Sequence, residues 1–157
     1  MRPRLLDLFC GAGGAGMGYH RAGFDVVGVD IEPQPRYPFR FVQGDALLIL
    51  QSRSWMAQLG PFDAIHASPP CQAFSVASKY RGTADRHEDL LTPARDQLKQ
   101  TGLPWVIENV PGAPMRADFK LCGCVVGLPE LERERWFETN WQRDLDLRPP
   151  CSRRRPR

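Results

Sequence analysis

A short apolar run that ends in a glycine-rich turn constrains the fold of this chain more than any other feature of its sequence. Residues 4–9 have the composition of a strand, and residues 10–16 contain too many glycines to continue it. Residues 17–22 suit a helix that Gly23 would end, and residues 24–29 resume a β-branched run. A helical connection returns the chain in its original direction, so the two strands are predicted to be parallel.

Strand and helix candidates continue to alternate along the rest of the chain. Thr92 and Pro93 suit the start of a helix, and Gly102 suits its end. This alternation is typical of an open, mostly parallel α/β sheet with helices on both faces. The further strand candidates are residues 39–42, 62–67, 105–107, 121–126 and 136–139, and the further helix candidates are residues 46–59 and 92–102.

The length of 157 residues leaves room for one domain, since one hydrophobic core usually occupies about 100–200 residues. We assign this domain to residues 1–141. Residues 142–157 are rich in Arg and Pro and have no hydrophobic period, so they are predicted to be a basic, disordered tail. Four of the charges behind the net charge of +3 are arginines after Ser152, and without them the chain carries −1. Nucleic-acid binding would therefore need a local basic patch.

Hydropathy and cysteine usage exclude several classes of protein. No apolar run approaches the roughly 18–20 residues that cross a bilayer, so we expect a soluble, cytoplasmic protein without a membrane partner. The five cysteines are odd in number and scattered, so we expect reduced thiols rather than a disulfide framework. Cys122 and Cys124 lack the spacing and the second pair of a zinc site, so we expect no metal.

Ligands of an open α/β sheet bind beyond the carboxyl ends of its strands, so the residues that follow each strand are expected to line one crevice. Asp30, after the second strand, is placed to accept hydrogen bonds from ribose hydroxyls, and Asp45 could accept from an adenine amino group or simply cap a helix. The glycine turn suits a nucleotide-like cofactor, although it could be a plain structural turn. The expected crevice residues are the turn at 10–14, Asp30, Asp45, Pro70, Cys71, Glu108 and Asn109.

Cys71 is the candidate nucleophile. It follows two prolines at a strand end, which would hold its thiol on a rigid turn, although a lone cysteine is often a buried apolar residue. Glu108 follows the next strand, and Arg133 and Arg135 precede the last one. These side chains could converge on Cys71, or Glu108 could form a structural ion pair with an arginine.

The segment at residues 75–88 is a candidate lid. It is long for a connection in a compact domain, and it combines Lys79, Arg81 and Arg86 with the aromatic Tyr80. This composition suits closure over a phosphate backbone, although a solvated mobile loop has the same composition.

Four segments resemble the motifs of DNA (cytosine-5) methyltransferases in their order and spacing. They read Asp-Leu-Phe-Cys-Gly-Ala-Gly-Gly at residues 7–14, Pro-Pro-Cys-Gln-Ala-Phe-Ser at 69–75, Glu-Asn-Val at 108–110 and Arg-Glu-Arg at 133–135. The resemblance covers about residues 4–141 and is greatest to small bacteriophage members. It implies a Rossmann-like fold that uses S-adenosylmethionine, with the target cytosine flipped out of double-stranded DNA.

The resemblance also implies a role for each motif residue. Cys71 would add to carbon-6 of cytosine, Glu108 would hold ring nitrogen-3 and the exocyclic amine, Arg135 would bind the ring carbonyl, and Arg133 would help to position it. The family often has an aromatic residue where this chain has Ile31, so aliphatic packing would replace stacking. The implied cofactor-binding residues are Asp7, Phe9, Cys10, Gly11, Ala12, Gly13, Gly14, Asp30, Ile31, Asp45, Ala46 and Pro70, and the implied DNA-binding residues are Gln72, Ser75, Lys79, Tyr80 and Arg81.

The end of the chain departs from the family. Family members continue after the strand of the Arg-Glu-Arg motif into a target-recognition region, whereas 16 residues follow Trp141 here. We expect a truncated gene product, with part of a split enzyme or a minimal form of relaxed specificity as the alternatives. An inactive or partner-dependent fragment that binds cofactor or DNA, completed by another polypeptide, is the rival function, and an RNA cytosine methyltransferase is a third.

Overall fold

The computed structural model describes residues 1–71, 89–128, 130–131 and 133–141. The helices are α1 (Gly14–Arg21), α2 (Ala46–Gln51), α3 (Arg53–Leu59) and α4 (Leu91–Gln100), and the strands are β1 (Arg4–Leu8), β2 (Asp25–Asp30), β3 (Arg40–Gln43), β4 (Ala64–Ala67), β5 (Trp105–Asn109), β6 (Phe119–Leu121) and β7 (Arg135–Thr139).

These strands form one sheet in the order β3-β2-β1-β4-β5-β7-β6. The first five strands of the chain pair in parallel, and β7 pairs antiparallel with both β5 and β6. The carboxyl ends of β1 to β5 therefore lie along one edge of the sheet, as the sequence predicts for an open α/β sheet.

The main core lies on one face of the sheet. Side chains alternate between the two faces of a strand, and on β1 this alternation sends Leu6 and Leu8 into a buried cluster with residues of α2, α3 and α4. On the opposite face, α1 packs against β1 and β2, where Gly16 lies close to Asp7 and Val26. The expectation of helices on both faces is confirmed.

Two predicted elements differ from the structure. The single helix expected at residues 46–59 is two helices, because Ser52 is extended and its hydroxyl accepts a hydrogen bond from Trp55 N at 3.3 Å, which caps α3. The strand expected at residues 121–126 is wrong. Strand β6 ends at Leu121, and a 3₁₀ helix (Gly123–Val126) follows, which ends at a left-handed glycine.

The sulfurs of Cys122 and Cys124 are joined in a disulfide, in contrast to the expected free thiols. The expected tail at residues 142–157 lies outside the described residues, as does the whole candidate lid at residues 75–88. Within the described residues, no helix is both long enough and apolar enough to span a bilayer.

The connection between β2 and β3 has no described helix, and Tyr37 takes the place that a helix would fill. Tyr37 is 9% exposed, and its hydroxyl donates a hydrogen bond to Asp7 Oδ2 at 3.1 Å. Its ring lies directly over Gly28 of β2, where a β-carbon would overlap the ring atoms. A glycine at this position therefore lets an aromatic ring cover the sheet.

Replacing Gly28 with alanine should destabilise the fold, because the new β-carbon would displace the Tyr37 ring. We expect the free energy of unfolding to fall by about 1–3 kcal/mol, measured by denaturant titration. Gly18→Ala is the matched control. Its β-carbon would meet no atom within 4 Å apart from the backbone of its own helix, and alanine should stabilise α1 by about 0.5–1 kcal/mol. Equal effects of the two substitutions would contradict this account.

Candidate active site

A cavity of about 460 Å³ opens at the carboxyl ends of the parallel strands. It brings together ten of the cofactor-binding and catalytic residues expected from the sequence, which lie at or beyond the carboxyl ends of β1 to β5, or at or just before the start of β7. They are Phe9, Asp30, Ile31, Asp45, Ala46, Pro70, Cys71, Glu108, Arg133 and Arg135.

Asp30 fixes the glycine turn at one end of the cavity. Its Oδ2 accepts a hydrogen bond from Gly11 N at 2.8 Å, and its Oδ1 accepts one from Glu32 N at 3.0 Å. Gly11 has a φ of 50°, which is the left-handed region that favours glycine. The carboxylate therefore holds the turn against the end of β2 while it lines the cavity, and each carboxylate oxygen can accept a further bond.

Asp45 caps α2, which is the structural alternative that its sequence position left open. Its Oδ1 accepts hydrogen bonds from Leu47 N at 2.8 Å and Leu48 N at 3.3 Å. No described residue donates to its Oδ2. Capping and ligand binding are therefore compatible, because they use different oxygens of one carboxylate.

Asp7 and the residues at 10–14 do not line this cavity, in contrast to the expectation for the cofactor-binding set. Asp7 lies beneath the turn and is fully buried, with Oδ1 lacking a hydrogen-bond partner. Burial raises the pKa of Asp7 to about 7, and the nearby charge of Asp30 adds to this, although hydrogen bonds from Tyr37 and the Gly16 backbone act in the opposite direction. The period-2 alternation along β1 directs Asp7 to the α1 face, away from the cavity. The residues 10–14 not lining the cavity are Cys10, Gly11, Ala12, Gly13 and Gly14.

The two free cysteines of the described residues have different surroundings. Cys10 is buried, and burial, reinforced by the charges of Asp7 and Asp30, raises the pKa of its thiol to about 12. Cys71 is half-buried and lines the cavity. Cys71 is therefore the thiol that a ligand in the cavity can reach.

The turn that carries Cys71 is tied to two neighbouring strands. Asn109, at the end of β5, is buried and donates from Nδ2 to Pro69 O at 3.0 Å. Ser68 donates from its hydroxyl to Phe9 O at 3.1 Å. Sequence reasoning assigned no role to Ser68, although its position directly after β4 was the available signal.

Glu108 and Arg135 form an ion pair, with Arg135 Nε 2.7 Å from Glu108 Oε1. Each side chain keeps about a fifth of its surface exposed, and both line the cavity with Cys71. Burial raises the pKa of Glu108, and the positive charges of Arg135 and Arg133, with the hydrogen bond from Arg135, oppose this shift. Catalysis and ion pairing, which the sequence presented as alternatives, are both compatible with this geometry.

Sequence reasoning missed some residues that line the cavity. Glu32 lines the cavity together with Asp30 and Asp45. Its position two residues after Asp30 could have identified it. The missed residues also include Leu47, Leu90 and Val110. The DNA-binding candidates outside the described residues are Gln72, Ser75, Lys79, Tyr80 and Arg81.

Comparisons with known proteins agree with the resemblance in the motifs. A family model described as C-5 cytosine-specific DNA methylase matches residues 3–118. The type II methyltransferase M.AquIA of Picosynechococcus sp. is 33% identical over 127 residues, which cover 71% of this chain and 50% of that protein. The type II methyltransferase M.XorII of Xanthomonas oryzae pv. oryzae is 32% identical over 128 residues, which cover 71% of this chain and 29% of that protein.

The chain thus spans about half the length of M.AquIA and less than a third of M.XorII. Among solved structures, the Dnmt2 methyltransferase of S. pombe matches 94% of this chain and 52% of its own, with a TM-score of 0.59 at 18% identity. At that identity the likeness concerns the fold, which is Rossmann-like.

The buried Asp7 should make stability depend on pH. Its pKa is about 7 in the folded chain against an ordinary value of 3.8, so the folded state keeps a proton that the unfolded state loses. The free energy of unfolding should therefore fall as pH rises from about 4 to 7. Relative to wild type, Asp7→Asn should gain roughly 2–4 kcal/mol over this window, measured by denaturant titration at each pH.

Subtracting the unfolding free energy of wild type from that of Asp7→Asn at each pH removes the contribution of His66, because both proteins contain His66. Burial lowers the pKa of His66 to about 4, which makes stability rise with pH between about 4 and 6.5 in both proteins. Asp25→Asn, at an exposed position, serves as the control substitution. Parallel pH profiles for wild type and Asp7→Asn would show that Asp7 ionises normally in the fold.

Proposed function

Because the chain belongs to the C-5 cytosine-specific DNA methylase family, we propose that it transfers a methyl group from S-adenosylmethionine to carbon-5 of cytosine in double-stranded DNA. The observation that carries the proposal is one continuous cavity. Asp30 and Asp45 lie at its cofactor end, and Cys71, Glu108 and Arg135 line the same space. A donor and an acceptor of a methyl group need such adjacent sites.

The residues at the cofactor end fit S-adenosylmethionine. Its ribose hydroxyls and adenine amino group are hydrogen-bond donors, and the carboxylates of Asp30 and Asp45 are acceptors that face the cavity. Ile31 is 63% exposed at the same end and offers an apolar surface to the adenine ring. When bound, the cofactor supplies an electrophilic methyl group.

Cys71 supplies the nucleophile in the proposed mechanism. Cytosine is a poor carbon nucleophile, so covalent activation divides one difficult step into two easier ones. The Cys71 thiolate would add to carbon-6 as the carbon-5–carbon-6 double bond opens and its electron density moves to carbon-5. Carbon-5 would then take the methyl group, whose bond to the cofactor sulfur breaks and leaves a neutral thioether. Solvent would then take the carbon-5 proton, and the electron pair left behind would re-form the carbon-5–carbon-6 double bond as the bond to sulfur breaks and the Cys71 thiolate leaves. The target base must be flipped out of the duplex to reach this depth.

Glu108 and the two arginines stabilise the activated ring. Burial raises the pKa of Glu108, so its carboxyl group is easier to protonate than an exposed one. Once protonated on Oε2, it would donate to ring nitrogen-3, while Oε1, which already pairs with Arg135, would also accept from the exocyclic amine. Arg135 provides positive charge for the ring carbonyl, and Arg133 lines the same cavity. Fixed charges placed where charge develops are often the largest contribution to catalysis.

A second candidate function follows from the length of the relatives. Since the chain spans about half of M.AquIA, we propose as the alternative that it binds cofactor or DNA and needs a complementing polypeptide for target recognition. The domain at residues 1–141 would then be the catalytic part of a larger assembly.

A covalent adduct tests the mechanism. The chain is incubated with S-adenosylmethionine and duplex DNA containing 5-fluorocytosine, which cannot lose its carbon-5 substituent as a proton. We expect an adduct in denaturing gels and mass spectra for wild type and for the control Cys151→Ala, and none for Cys71→Ala. No adduct with wild type on DNA would refute activity of the chain alone. An adduct on 5-fluorocytosine RNA alone would instead identify an RNA substrate.

The cofactor end is tested by Asp30→Ala. Loss of a charged acceptor for the ribose should weaken S-adenosylmethionine binding by about 1–3 kcal/mol in calorimetry. Asp25→Ala removes an exposed acid from the other end of the same strand and should leave the affinity unchanged. Unchanged binding in Asp30→Ala would refute its role in the cofactor site.

A further inference from the structure

The turns that follow β1 and β4 meet at the end of the β1–β4 pair, and Ser68 joins them. Its backbone N–H donates to Leu8 O at 3.2 Å, which extends the parallel ladder by one bond beyond the pairing of Leu8 with Ala67. Its hydroxyl donates to Phe9 O at 3.1 Å. Ser68 therefore holds two successive carbonyls at the point where β1 becomes the glycine turn.

Phe9 needs such a restraint. It has a φ of 56°, and it is the one non-glycine residue with positive φ in the described part of the chain. A bulky residue persists in this conformation when surrounding contacts determine it. The next residue, Cys10, donates from its backbone N–H to Val29 O at 3.1 Å, so hydrogen bonds secure both sides of the Phe9 conformation. The Phe9 side chain lines the cavity.

Ser68 is also the first residue of the turn that carries the thiol. Pro69 and Pro70 follow it and have restricted φ angles, and Cys71 comes next. The carbonyl of Pro69 is held by Asn109 Nδ2 at 3.0 Å. Because few backbone angles between Ser68 and Cys71 can rotate freely, a shift of Ser68 also shifts Cys71.

We propose that Ser68 is a positioning residue that couples the cofactor end of the cavity to the nucleophile. The coupling deepens the proposed methyl transfer and rests on it. Through its hydroxyl, the conformation of Phe9 and the orientation of Cys71 depend on each other. A cofactor bound against Phe9 then restrains the turn that carries the Cys71 thiol. Ser68 itself takes no part in the chemistry.

The test uses two measurements that involve neither DNA nor methyl transfer. One is the affinity for S-adenosylhomocysteine by calorimetry, and the other is the rate at which iodoacetamide alkylates Cys71 without cofactor, followed by peptide mass spectrometry. Ser68→Ala should weaken binding by about three- to tenfold, since one neutral hydrogen bond is lost. It should also change the Cys71 alkylation rate by about threefold or more. Ser68→Thr keeps the hydroxyl and should restore both.

Ser52→Ala is the matched control. It also removes a serine hydroxyl that makes a hydrogen bond, in this case the cap of α3, so it should lower the unfolding midpoint and move neither measurement. A change in only one measurement for Ser68→Ala, or the same changes in Ser52→Ala, would overturn the coupling. If wild type does not bind S-adenosylhomocysteine, the cofactor part of the proposed function fails, and an unaltered alkylation rate in Ser68→Ala still overturns the coupling.

Discussion

Parallel pairing leaves the carboxyl ends of β1 to β5 at one edge, where the backbone groups of the following turns lose their ladder partners. Side chains from neighbouring strand ends supply the missing bonds. Asp30, the last residue of β2, holds Gly11; Ser68, after β4, holds Phe9; and Asn109, at the end of β5, holds Pro69. Each tether joins two strands, so the turns around the cavity form a connected set.

Differences in burial give chemically similar side chains different roles. Asp7 and Asp30 come from adjacent strands, yet Asp7 is sealed beneath the turn with its pKa raised to about 7, whereas Asp30 reaches the cavity. Cys10 and Cys71 both follow strands, yet Cys10 is buried with a thiol pKa of about 12. A thiol held protonated in this way is a poor nucleophile, so the depth of each residue decides which cysteine can react.

The sequence predicts the strand ends well because parallel order and ligand position follow from the alternation of elements alone. The order of elements alone predicts that Asp30, Asp45, Cys71 and Glu108 lie at one crevice. It does not predict Tyr37, because the match between that ring and Gly28 appears only when a loop folds over the sheet. The position of Asp7 outside the cavity has a similar cause. The alternation of side chains along β1 predicts the sheet face on which Asp7 lies, but it does not predict which residues cover that face.

The sequence leaves open whether Asp45 and Glu108 have structural or functional roles. Both roles are compatible in the structure, because a carboxyl group has two oxygens. Asp45 caps α2 with Oδ1, and Glu108 receives Arg135 on Oε1. The second oxygen of each group can still meet a ligand. For Glu108 the pairing also has an electrostatic consequence. Burial raises its pKa, and the arginine charges lower it. A carboxyl group under these opposing influences can give a proton to a bound ring and take it back, whereas either influence alone would favour one direction of transfer.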